Sequence, residues 1–168
     1  MRLFLALPVP GEIAAELSRV QEQLPQSVRY IETFHLTVKF LGEMDSPDEV
    51  EKRLGGLRFS PFRLTLAAVG VFPNWNAPTV VWVGLAESRE LKELQSAIVM
   101  RLKGVGKPDQ EFHAHLTMGR CAALSDHDIA QIRAITVRPK SFMVEKIVLY
   151  ESTLTREGPV YREVASFS

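Results

Sequence analysis

The tripeptide His-Leu-Thr occurs twice in this chain, at His35-Leu36-Thr37 and at His115-Leu116-Thr117, 80 residues apart. Each copy lies in an apolar, strand-like stretch, Phe34 to Gly42 and Phe112 to Gly119. Side chains alternate between the two faces of a β-strand, so the His and Thr of each copy share a face and the Leu takes the other. Leu36 and Leu116 are then expected against a core, and each His-Thr pair against an open surface or cleft. Two such pairs facing each other supply two imidazoles and two hydroxyls, a set suited to acid–base chemistry on a phosphate.

The pattern around the motif is doubled as well. Arg2 to Leu7 reads as a strand, and Pro10 or Gly11 opens a helix through Ile13, Leu17, Val20 and Leu24 at helical spacing. After the first motif strand, Ser46-Pro47-Asp48-Glu49 signals a helix start with Ser46 as the cap, and Phe62 to Val71 alternates as a strand. The same order follows again: a strand from Thr79 to Leu85, a helix from Ser88 to Leu102, the second motif strand, a helix from Ser125 to Ala134, and a strand from Phe142 to Tyr150. Setting Phe4 against Trp82 also sets Ala6 against Gly84 and Leu7 against Leu85. The expectation is one domain over residues 1–168, internally duplicated with halves of about 1–72 and 79–151. The fold class is α+β: two pseudo-twofold-related lobes whose antiparallel sheets line a central cleft, with helices outside. The turn-rich loop Phe72 to Pro78 is too short for a flexible interdomain linker.

Composition narrows the partners. With 46% hydrophobic residues in 168, the chain can bury a substantial core. The 20 acidic and 20 basic residues balance and no polybasic run occurs, which argues against a long nucleic-acid track held by bulk charge. A small anionic group or an RNA end remains within reach of a few local charges. The single cysteine, Cys121, excludes an internal disulfide framework and points to a reducing compartment. The apolar start Met1 to Pro8 is interrupted by Pro8 and Pro10 and followed by Glu12 and Glu16, so it reads as a buried strand of a cytoplasmic protein rather than a signal peptide. No segment is long enough for a membrane helix, and a monomer is expected.

Imidazole titrates near neutrality, so of two histidines one can be neutral and the other protonated. The neutral ring takes a proton from an attacking water and the charged ring gives one to a leaving oxygen. Thr37 and Thr117 can hydrogen-bond non-bridging phosphate oxygens. Arg120 is the best candidate for a phosphate-binding cation, with Lys39, on the parity of His35 and Thr37, as a second. Strict alternation puts Arg120 on the wrong face, and a bulge at Gly119 would turn it back. His113 shares the face of His115 but has no counterpart in the first half. His127 reads as a solvated helix-start residue, Phe4 and Trp82 as core, and Cys121 as a small buried hydrophobe. Trp75 is either a base-stacking residue or a loop aromatic packed on its own lobe. A zinc site on His35, His113 and His115 is the main chemical rival, though no HExxH or CxxC spacing accompanies these residues.

These motifs resemble those of the 2H phosphoesterase superfamily, which is named for two His-x-Thr/Ser motifs. Within it the chain is similar to the bacterial and archaeal RNA 2′,3′-cyclic phosphodiesterases, also called 2′-5′ RNA ligases. The likeness runs from Arg2–Leu7 through His35–Glu43, Val80–Gly84 and Phe112–Arg120 to Leu149–Ser152 and Gly158–Tyr161. One departure is Ala114, where the family commonly has proline. The resemblance implies no cofactor and no metal requirement, and hydrolysis of an RNA-terminal or nucleotide 2′,3′-cyclic phosphate to a 2′-phosphate. It also implies a reverse reaction in which an RNA 5′-hydroxyl replaces water. It makes His35 the proton donor and His115 the acceptor, with Thr37, Thr117 and Arg120 on the phosphate. Relatives in the superfamily act on other cyclic phosphates or 2′-5′ oligoadenylates, and a nucleotide- or RNA-end-binding module with little turnover is the alternative from another class.

Overall fold

The computed structural model describes residues 1–168. Its elements are β1 (Arg2–Leu7), α1 (Gly11–Glu22), β2 (Arg29–Tyr30), β3 (Leu36–Glu43), α2 (Asp48–Leu54), β4 (Phe62–Phe72), β5 (Val80–Leu85), α3 (Arg89–Arg101), β6 (His115–Arg120), α4 (Asp126–Arg133), β7 (Ser141–Val144), β8 (Ile147–Thr155) and β9 (Gly158–Phe167). The strands form two antiparallel sheets, one ordered β3-β1-β8-β9 and the other β2-β6-β5-β4-β7. One continuous cluster of buried apolar side chains, including Leu5, Leu36, Ile98 and Leu116, joins both sheets to the helices. The α+β class and the paired sheets are as the sequence leads one to expect.

The sequence repeats and the sheets are not coextensive. β4 closes the first repeat but pairs with β5, and β8 belongs to the second repeat but pairs with β1. Each sheet thus takes two strands from the other half of the chain, β8 and β9 in the first and β2 and β4 in the second. The single strand expected from Phe142 to Tyr150 is two, broken at exposed Glu145-Lys146, with β7 and β8 in different sheets. β9, in which no residue is buried and half are exposed, is a further strand that alternation did not announce. The helix expected to begin with Ser46 as cap begins one residue later, with Pro47 at the cap position, although Ser46 Oγ still accepts the Asp48 N–H at 3.0 Å.

The register shows how the halves match. Along β3, Leu36, Thr37, Lys39 and Phe40 stand opposite Leu7, Ala6, Leu5 and Phe4; along β6, Leu116, Thr117, Gly119 and Arg120 stand opposite Val83, Trp82, Val81 and Val80. Both motif strands carry an extra residue just after the threonine, Val38 in one and Met118 in the other. By this pairing Trp82 is the counterpart of Ala6 and Val80 that of Phe4. The alignment of Phe4 with Trp82 is therefore two residues out, a slip that a period-two pattern cannot detect because it preserves the face.

The bulge also overturns the reading of Lys39. Val38 consumes one step of alternation, so Lys39 leaves the face of Thr37 and turns inward with Leu5. Its side chain is 4% exposed, and its ammonium pairs with Asp109 and lies 3.5 Å from the Lys107 carbonyl, in the loop leading to the second motif. Lys39 ties β3 to that loop and is not a phosphate ligand. Removing Asp109 strands a buried charge, whereas replacing Lys39 by an apolar chain of similar length removes the charge that needs a partner. Urea denaturation should show Asp109→Ala losing about 3 kcal/mol and Lys39→Met about 1 kcal/mol or less; the reverse order would refute this role.

Candidate active site

Beyond each bulge the alternation is reset, and that decides which residues meet in the cleft. Residues directly opposite in an antiparallel pair share a face. On the first sheet Thr37, Phe40, Phe4, Tyr150 and Tyr161 therefore lie on one face, with His35 at the entrance to β3. On the second, His115, Thr117, Trp82, Val80 and Arg120 do so. The shift that removes Lys39 from the site brings Arg120 into it, with Met118 rather than Gly119 as the extra residue. β3 and β6 belong to different sheets yet approach within 8 Å between Cα atoms, which brings the two motif strands side by side.

Each bulge has a partner in the opposite repeat. The buried side chain of Gln21, on α1, donates from Nε2 to the carbonyls of Met118 at 2.9 Å and Ile31 at 2.8 Å. Gln95, on α3, donates to the carbonyl of Val38 at 3.4 Å. A bulged residue leaves the ladder's hydrogen-bond pattern, and these amides supply a donor to each bulged carbonyl, the Met118 oxygen also taking the Ile31 N–H at 3.0 Å.

The His35 ring is enclosed by aromatic groups, with centroids of Phe4, Tyr150 and Tyr161 at 5.6, 5.0 and 4.7 Å. Burial holds its pKa below the ordinary 6.5. His115 rests against Phe72 at 4.9 Å and Trp82 at 6.2 Å. Trp82 lies flat over Gly70, where a Cβ would come within 2.2 Å of the indole, so only glycine admits the ring there. Phe4 is buried as expected, but Trp82 is only half-buried and lies outside the core cluster; both rings pack against the histidines.

The Nδ1 of His115 lies 2.6 Å from the carbonyl oxygen of His113. A carbonyl only accepts, so Nδ1 carries the proton, and in the neutral ring Nε2 keeps its lone pair. Burial chiefly lowers the pKa of His115; that hydrogen bond opposes the fall, and the charges of His113 and Arg120 add to it. His113 contributes its carbonyl to the site, while its own ring is exposed against Trp82 at 4.9 Å. His35, His113 and His115 do not assemble with other donors into a cluster that could hold a metal ion.

The remaining candidates lie outside the cleft floor. His127 is exposed at the start of α4. Trp75 packs on its own lobe, with the Arg133 guanidinium 4.6 Å from its ring centre. Cys121 is half-buried, its thiol donating to the Pro78 carbonyl at 3.4 Å and its pKa raised by burial. Phe40, 62% exposed at the position matching Arg120, and the two tyrosines were not singled out from sequence as site residues. Phe40 escaped because simple parity hides it behind the bulge.

A cleft with an imidazole and a threonine from each of two matched strands, and a guanidinium beside one pair, defines a two-histidine phosphate-chemistry fold. The family model of the 2′-5′ RNA ligase superfamily matches residues 9–156, and the chain belongs to that family. It is 33% identical to an RNA 2′,3′-cyclic phosphodiesterase of Archaeoglobus fulgidus over 99% of both chains, and 34% identical to one of Methanocaldococcus jannaschii over 98% of both. Its fold is similar to the crystal structure of TT0787 of Thermus thermophilus, with TM-score 0.81 and 27% identity over 99% of this chain and 97% of the other. It is similar also to E. coli LigT complexed with 3′-AMP, with TM-score 0.79 and 27% identity over 99% and 96%.

Nitrogen-detected NMR of the ligand-free protein should show His115 at alkaline pH as the Nδ1–H tautomer. Both His35 and His115 should titrate below 6.5. An Nε2–H tautomer for His115, or a midpoint above 6.5 for either ring, would contradict the geometry.

Proposed function

We propose that residues 1–168 act as one catalytic unit that hydrolyses a 2′,3′-cyclic phosphate at an RNA end or on a nucleotide to a 2′-phosphate. The observation that carries this reading is that the two His-x-Thr motifs sit on strands of different sheets that approach within 8 Å between Cα atoms, with the Nδ1 of His115 held by the His113 carbonyl. The relatives' activity toward RNA 2′,3′-cyclic phosphates and the neighbour's complex with 3′-AMP support the same substrate class.

His115 Nε2 takes a proton from water as the water oxygen bonds to phosphorus. The bond from phosphorus to O3′ breaks, and His35 protonates that oxygen as it leaves. Thr37 and Thr117 hydroxyls and the Arg120 guanidinium bind the non-bridging oxygens, where charge builds up. Burial disfavours the imidazolium form of His35, and the negative charge of the bound phosphate restores it, so the acid is charged once substrate is present. His115 is kept neutral by burial and by the neighbouring Arg120 charge, the state a base requires. Run in the same direction with an RNA 5′-hydroxyl in place of water, the same steps form a 2′-5′ linkage and free the 3′-hydroxyl.

The chemistry assigned here uses only side chains of this chain, and we read the protein as a metal-independent cytoplasmic monomer. No helix is long and apolar enough to cross a membrane, and the single cysteine suits a reducing compartment. Incubation of the purified protein with nucleoside 2′,3′-cyclic phosphates in excess EDTA should yield the 2′-phosphate. His35→Ala and His115→Ala should each lower kcat/KM by roughly 10²–10⁴-fold. Loss of activity in EDTA, a 3′-phosphate product, or a histidine variant at full rate would overturn this mechanism. A variant series in which cyclic nucleotide binds but none is turned over would favour the binding-module reading.

A further inference from the structure

The two sheets differ at one edge. In the first, the motif strand β3 is itself the edge; in the second, the motif strand β6 is covered by the two-residue strand β2. β2 lies close because position 119 is glycine: a Cβ there would come within 2.7 Å of the Arg29 carbonyl oxygen and 2.6 Å of Val28. Gln21 and the Ile31 N–H, both bonded to the Met118 carbonyl, hold the segment in place. The result is that Arg29 stands directly opposite Arg120 and on the same face.

Like charges directly opposite one another are unfavourable in an antiparallel pair. Both side chains are exposed, so water screens the repulsion, but none of the ion pairs in the protein includes either. The nearby carboxylate of Asp128 is engaged by the Ser27 hydroxyl at 2.8 Å and by the start of α4. The two guanidinium-bearing residues line an open surface depression of about 380 Å³ with Ser27, Cys121 and Ala122. An unpaired cation pair lining an open depression, in a chain with no net charge, is a site suited to an anion.

We propose that Arg29, beside Arg120, binds a second phosphate: the phosphodiester on the 5′ side of the terminal nucleotide of an RNA chain. This rests on the function proposed above, in which Arg120 serves the terminal cyclic phosphate. Arg29 then makes the protein prefer an RNA end to a free cyclic mononucleotide. Arg29 touches no reacting atom, and its contribution falls on recognition.

The test compares adenylyl-adenosine 2′,3′-cyclic phosphate with adenosine 2′,3′-cyclic phosphate, for the wild type, Arg29→Ala and Arg29→Lys. The kcat/KM of Arg29→Ala should fall about tenfold more on the dinucleotide than on the mononucleotide, mostly through KM, with partial recovery in Arg29→Lys. An equal loss on both substrates, or none, overturns the inference. A separate arm measures anisotropy of a labelled pentanucleotide ending in 2′-phosphate bound to His115→Ala with and without Arg29→Ala. The second substitution should weaken binding about tenfold and reduce the slope of log affinity against log salt by about 0.7. Wild-type protein inactive on both cyclic phosphates refutes the function proposed above, and the binding arm then decides on Arg29 alone: unchanged affinity and slope reject it.

Discussion

The site depends on a hydrogen bond that has nothing to do with phosphate: a glutamine amide from a helix of one repeat caps the carbonyl of a bulged residue in the motif strand of the other. Gln21 does this for Met118 and Gln95 for Val38. Without the bulge, a strand starting at His115 would bury Arg120, and one starting at His35 would expose Lys39. With it, the apolar residues before and after both remain in the core while the residue five after each histidine points into the cleft. The amide gives the bulged carbonyl a side-chain donor, which at Met118 adds to the Ile31 N–H and fixes the bulge to α1. It also makes each half's site geometry depend on the other half's helix.

Matched backbones carry unmatched side chains. Where the second sheet has Arg120 opposite Val80, the first has Phe40 opposite Phe4, their rings 6.0 Å apart. Phe40, Phe4, Tyr150 and Tyr161 give the first lobe an aromatic surface beside its histidine, while the second lobe holds the site's guanidinium. That division suits a molecule with a flat base at one end and charged oxygens at the other. The histidines differ in the same way: His35 sits among rings with no carbonyl fixing its tautomer, and His115 is oriented by the His113 backbone.

Much of this was legible in the sequence. The two His-x-Thr strands, the helices that alternate with them and the inward leucines follow from periodicity, and the doubled order follows from the repeat. Strand exchange between the halves did not, because β4 and β8 carry no local mark of which sheet they join. Nor did the bulges: Val38 and Met118 are ordinary apolar residues, and an extra residue in a strand is set by tertiary hydrogen bonds that a period-two pattern averages away. Their consequences explain the misreadings, namely Lys39 assigned to the cleft, Phe40 overlooked, and Arg120 retained only by supposing a bulge. β2 was too short to register, and with it went Arg29.

The central claim is that the histidines of the two sheets act together on one phosphorus atom. A double-mutant cycle on kcat/KM for a 2′,3′-cyclic nucleotide, built from His35→Ala, His115→Ala and the double variant, measures it most directly. Residues that act as a unit are strongly non-additive, so the double variant should be little worse than the more damaged single one. A double variant whose loss equals the product of the two single losses would mean that the histidines contribute independently, and would contradict the account.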